Sequence, residues 1–164
     1  MKILPKKEFE RKVYDLYKGF GYSEEESAKE ATSLEGIHVD ETGEIWVLKG
    51  TPAGHRAHEV GHKVLGYSSE YPDPETGDRT LGDDILDELL AEKFSYEVRG
   101  KKPTYRMAIP AINMMVGEAG WSPETSVFWV TKIMRDKLKI GVTKSERREL
   151  ARHAHGHSRR PRRQ

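Results

Sequence analysis

None of the 164 positions is cysteine, so no disulfide can brace this chain and its fold must rest on apolar packing. The same absence excludes a thiolate zinc finger, an iron–sulfur site and cysteine nucleophile chemistry. Any metal would have to be held by histidine and carboxylate. Hydrophobic residues make up 35% of the sequence, enough for one modest core in a domain carrying a tail. Lysine and arginine total 28 against 27 aspartates and glutamates, which removes the composition argument for a dedicated nucleic-acid or membrane-surface protein. No apolar run approaches the roughly 18 residues of a membrane span, so a soluble cytoplasmic protein is expected. Asparagine and glutamine occur once each, as Asn113 and Gln164, while charged residues reach 34%, a balance that points to a thermophilic source.

Glycines, prolines and capping residues cut the chain into short elements. Phe9, Val13, Leu16, Tyr17 and Phe20 fall on one stripe of a helix running from about Pro5 to Gly19. Ser23 followed by Glu26 is a capping box for a second helix that should run until Gly36. GIHVD and IWVL around the turn ETGE then read as a hairpin. Thr51 as cap and Pro52 as first helical residue predict a helix over 52–65. Residues 66–82 read as loop; its DPETGD stretch lacks the alternating acids and closing Glu of a calcium loop. Asp83 or Asp84 should cap the next helix, in which Leu86, Leu90 and Phe94 recur and which ends by Gly100. Ile109, Ile112, Met115 and Val116 suggest another helix, with Pro110 near its start. Ser122 and Pro123 start a further one presenting Val127, Val130, Ile133, Met134 and Leu138. Trp121, Phe128, Trp129 and the methionines are expected in the core. Thr143 and Glu146 form one more capping box.

The helix expected over 52–65 carries His58-Glu59-Val60-Gly61-His62, an H-E-x-x-H. At about 100° per residue His62 lies about 40° and Glu59 about 100° from His58, so all three project to one side. Two imidazoles one turn apart can grip one cation, while the glutamate reaches a water on it. Zinc accepts two histidines and a carboxylate, leaves a fourth site for water and lowers that water's pKa to about 7. Gly61 thins the helix for close approach of another element. A second helix offers ELLAEKF, in which Glu88 and Glu92 share a face four residues apart and Ala91 leaves room for contact.

HEVGH followed by a helix bearing E-x-x-A-(D/E)-x-F resembles the gluzincin metallopeptidases, as in the ImmA/IrrE and HtpX/CAAX-protease families. The short chain, the strand IWVL ahead of the motif helix and the lack of membrane spans favour ImmA/IrrE. The likeness covers about residues 44–98. It implies that His58, His62 and Glu88 are the zinc ligands and Glu59 the catalytic base. Glu92 stands where many relatives have Asp or Asn, and the resemblance implies that it supports a ligand histidine. It further implies hydrolysis of a specific protein, such as a repressor, with a peptide paired along the outer strand of the sheet.

Alternatives stand beside these roles. Asp84 or Glu92 could replace Glu88 as ligand. His55, on the same arc as His58 and His62, is a candidate substrate-side group or a surface residue. Tyr67, Tyr71, Tyr96 and Tyr105 are all candidate oxyanion donors. His38 is expected to be exposed, and His153, His155 and His157 to alternate in a polar tail. A zinc-stabilised binding module that docks a protein or nucleic acid is the alternative to an enzyme.

The expected fold is therefore α+β, a mostly helical minimal zincin with a small sheet ahead of the H-E-x-x-H helix. One domain over 1–146 would be followed by a basic tail over 147–164. In that tail seven arginines against one glutamate give +6, leaving the preceding body at −5 within the chain's net +1. Its last residues lack apolar periodicity and are expected to be disordered beyond about His155, where weak contact with nucleic acid could be made.

Overall fold

The helices Glu24–Ser33, Pro123–Leu138 and Lys144–Ser158 begin where a serine or threonine hydroxyl accepts an orphan amide. The computed structural model describes residues 1–50 and 55–158, with His55 represented by its backbone. The described chain forms two compact units, Met1–Leu65 and Gly66–Gln164. Its class is α+β and mostly helical, with one small sheet. Among the described residues no helix is long and apolar enough to cross a membrane.

The first unit runs β1 (Lys2–Leu4), α1 (Lys6–Gly19), α2 (Glu24–Ser33), β2 (Gly36–Val39), β3 (Glu44–Leu48) and α3 (His55–Leu65). Ser23 and Glu26 make the reciprocal capping box of α2: the Glu26 amide donates to the Ser23 hydroxyl at 3.1 Å, and the Ser23 amide to the Glu26 carboxylate at 3.3 Å. The expected hairpin is present, with Ile37 opposite Trp46 and Val39 opposite Glu44. Strand β1 was not expected. It pairs in parallel with β3, Leu4 opposite Leu48, so the strand order is β1-β3-β2. Alternation along β3 then sends successive side chains to opposite faces. Trp46 joins Leu4, Phe9, Val13 and Ala31 in the core beneath α1 and α2, while Val47 turns to the other face. Phe20 leaves the expected stripe: it is the residue at which α1 stops, and it stands 54% exposed.

Helix α3 packs on β2. Ala57, Val60 and Val64 form its buried stripe. Gly36 opens β2, as the segment GIHVD predicts, while α2 ends earlier than expected, at Ser33. A Cβ on Gly36 would lie 2.9 Å from one Val64 methyl and 3.0 Å from one Val60 methyl. Only a residue without a side chain lets the helix come this close to the strand. The expected cap Thr51 and first-turn Pro52 lie outside the described residues.

The second unit runs α4 (Leu81–Val98), a 3-10 turn (Tyr105–Ala108), α5 (Ile109–Gly117), α6 (Pro123–Leu138) and α7 (Lys144–Ser158). Ile85, Leu89, Ile112, Met115, Val130 and Met134 are central to its core. Pro110 sits in the first turn of α5, and Ser122 caps α6 by accepting the Thr125 amide at 3.2 Å. One expectation needs correction. Phe128 and Trp129 are not core residues: Val127, Val130 and Met134 already fill the inward stripe of α6, and one residue of rotation turns the two rings outward, 56% and 41% exposed. Part of the segment expected as a basic tail is helix. The Thr143–Glu146 capping box starts α7, which remains helical through Ser158 because Leu150 and Ala154 are buried against the second unit's core. Residues 159–164 lie outside the described part.

The seating of α3 on β2 can be tested. Gly36→Ala should lower stability by about 1–3 kcal/mol, because valine methyls on a helix are rotationally stiff and cannot fold away from the new carbon. Adding Val64→Ala in the same chain should recover part of that loss, measured as the shift in denaturation midpoint.

Candidate metal centre

The packing of α3 decides what its other face can do. With Ala57, Val60 and Val64 turned to the strand, His58 and His62 project from the opposite side of the same helix. His58 is buried and His62 half-buried. Their Nε2 atoms lie 3.0 Å apart, the rings inclined at 76° with centroids separated by 4.7 Å. Such a pair can share one proton as an N–H···N hydrogen bond, or point both lone pairs at one cation. Glu59 is exposed on the neighbouring arc of α3. Gly61 is buried. The side chain of His55 is outside the described part, so its substrate-side role has no geometry here.

In the second unit Glu88 and Glu92 are half-buried one turn apart on α4, and Ala91 is fully buried. The helix that carries them is fixed at its start by two buried carboxylates. Asp83 accepts hydrogen bonds from the Tyr71 amide at 2.9 Å, the Thr80 amide at 3.1 Å and the Ser68 hydroxyl at 3.2 Å. Asp87 accepts from the Ser68 amide at 2.8 Å and from the Arg79 guanidinium. The helix therefore begins at Leu81 after Thr80, and Asp83, expected as the cap itself, sits in the first turn with its carboxylate reaching back to the Thr80 amide. Asp84 lies 3.3 Å from Arg79 in an ion pair. Burial pushes the Asp83 carboxyl up, but the amides of Tyr71 and Thr80, the Ser68 hydroxyl and the charge of Arg79 outweigh it and hold the group below its ordinary range.

The remaining candidates occupy defined places. His38 is exposed beside Asp40, its Nδ1 2.9 Å from the carboxylate. His153 and His155 do not hang in a tail: on α7 they meet Asn113 at 3.2 Å and Glu124 at 2.5 Å. The DPETGD segment is a turn in which Asp73 accepts the amides of Glu75 and Thr76 at 2.9 and 3.0 Å. Of the four tyrosines, Tyr105 donates its hydroxyl to Glu149, and this bond raises its pKa first, with burial second. Tyr67 is 85% exposed with the Arg79 guanidinium over its ring, and Tyr71 packs against the core of its unit.

The Asp83 network makes a pH prediction. Because its folded pKa is depressed, its contribution is complete above the ordinary aspartate value near about 3.9 and is lost as pH falls through the lower folded value. Asp83→Asn should cost about 2–3 kcal/mol at neutral pH, since an amide cannot accept from all three donors. It should also flatten the fall in stability at acid pH. Urea titrations at neutral and acid pH would read both effects.

No family model matches this chain, and neither a similar curated protein nor a similar solved structure is found.

Proposed function

We propose that this chain is a zinc-dependent peptidase of the gluzincin kind, in which His58, His62 and Glu88 ligate the metal and Glu59 is the general base. The observation that supports it best is the approach of the two Nε2 atoms to 3.0 Å on one helix. Two nitrogens bound to a tetrahedral zinc at about 2.0–2.1 Å lie about 3.3–3.4 Å apart, a small ring movement from that spacing. Two imidazoles and a carboxylate are a donor set that suits zinc.

When bound, zinc supplies a Lewis acid for the scissile carbonyl and a water of pKa about 7. Glu59 takes a proton from the attacking water and delivers it to the leaving amine nitrogen, so that the departing group leaves neutral. Glu92 orients a ligand histidine. Strand β2, an edge of the sheet lying against α3, is the strand along which an extended peptide would pair. The likeness to ImmA/IrrE suggests a protein substrate such as a repressor, cut in the cytoplasm.

The metal and the base separate by mutation. The purified protein should hold about one zinc, and His62→Ala should lose it. Glu59→Gln should keep the metal and the fold but abolish peptide hydrolysis. Glu88→Gln should weaken zinc by more than the roughly 10–100-fold that removing a supporting group costs. Zinc content by atomic emission and cleavage of a quenched peptide library read the two effects apart. Full zinc retention in His62→Ala would refute the ligand set, and equal zinc loss in the two glutamate variants would show base and ligand interchanged. Stoichiometric zinc with no hydrolysis would favour the binding module.

A further inference from the structure

Helix α6 has an outer face that the metal chemistry does not use. Phe128, Thr131, Lys132 and Arg135 recur at i, i+3, i+4 and i+7, a single stripe of the helix. With Val142 and Arg147 they line a cleft of about 320 Å3. Phe128 meets Trp129 edge to face, ring centroids 5.4 Å apart, and both rings stand exposed. The Lys132 ammonium lies 5.0 Å from the Trp129 ring centroid, so an aromatic face places this cation. Thr131 turns its hydroxyl inward, donating to the Val127 carbonyl at 2.6 Å, and leaves the polarity of the cleft to the cations.

The lining holds three cations and no acid. Two carboxylates adjoining the lining residues in sequence have partners. Asp136 pairs with Arg135 at 3.2 Å, and Glu146 accepts the Thr143 amide at 3.0 Å at the start of α7. Positive charge therefore accumulates beside two large rings that face water. An acidic peptide would answer the charge and leave the rings idle. A duplex would answer the charge and keep its base faces hidden in the stack. A single strand offers phosphates and open base faces together.

We propose that this cleft binds single-stranded nucleic acid, with phosphates on Lys132 and Arg147 and a base stacked on Phe128. The site is independent of the metal and of residues 159–164.

The test is fluorescence anisotropy of a short labelled oligothymidylate with the full-length protein, run across a salt series. Binding should weaken with salt. Phe128→Ala should reduce affinity about 5- to 150-fold at every salt concentration, the range expected for one lost base stack, and leave the salt slope unchanged. Lys132→Gln with Arg147→Gln should lower the slope by about 1.4, or about 0.7 for each lost phosphate contact. Phe128→Leu keeps apolar bulk without a flat ring and should behave like the alanine variant. Four results would overturn the proposal: no binding in low salt; affinity indifferent to Phe128; binding lost when residues 159–164 are removed; or polyglutamate or thymidine monophosphate bound as tightly as the strand.

Discussion

Close contact between one helix and one strand governs what the first unit can present. Val60 and Val64 rest over Gly36, where a single added carbon would overlap two methyl groups. Burying Ala57, Val60 and Val64 on β2 fixes the rotation of α3 about its own axis, and that rotation leaves His58 and His62 on the other side. Helical spacing brings the two imidazoles together, and the hydrophobic contact on the far side of α3 sets the direction they face. Below, β3 sends its residues to both faces, Trp46 into the core under α1 and α2 and the fully buried Val47 to the opposite side. The sheet is small, but it gives the motif helix a rigid floor.

In the second unit the comparable constraint is electrostatic. Asp83 is fully buried and Asp87 nearly so, and such charges persist only when hydrogen-bonded. Amides of Ser68, Tyr71 and Thr80 and the guanidinium of Arg79 meet that requirement, which ties the loop before α4 to its first two turns. Such a network does more for geometry than for net stability. It sets where α4 starts, and hence where along the helix Glu88 and Glu92 fall. Truncating any member would leave a buried acceptor or donor unmatched, the costly side of the asymmetry in hydrogen-bond energetics.

What could be read from the sequence was local. Ser23 with Glu26, Thr143 with Glu146, and Ser122 with Pro123 mark helix starts because the groups that satisfy each other are three residues apart or fewer. The hairpin was legible for the same reason. Strand β1 was not, since three residues carry no measurable period and their partner Trp46 lies far along the chain. Asp83 looked like a cap because its side chain satisfies amides at a helix start; its donors include Ser68 and Tyr71, and no pattern in the sequence links them to it. Phe128 and Trp129 were misplaced by composition. Their size argues for burial, but the phase of Val127, Val130 and Met134 decides which side of α6 is inward, and that phase was available. For the metal centre, the pairing of His58 with His62 follows from helical spacing alone, whereas the choice among Glu88, Asp84 and Glu92 needs a relation between residues distant in sequence.

The exposed rings on α6 follow from the same economy of faces. Once Val127, Val130, Ile133 and Met134 fill the inward side, a second apolar stripe on the same helix cannot reach that core. Phe128 and Trp129 then add little to folding, and water around them is a standing cost. Lys132 and Arg135, one and two turns on, keep the stripe soluble and make it positive. Because these side chains stand outside the core, removing an aromatic ring leaves the packing of α6 against α5 and α7 in place. The α3 histidines and the α6 rings belong to different units. Substitutions of the exposed α6 rings and of the α3 histidines should therefore move nucleic-acid affinity and zinc content separately.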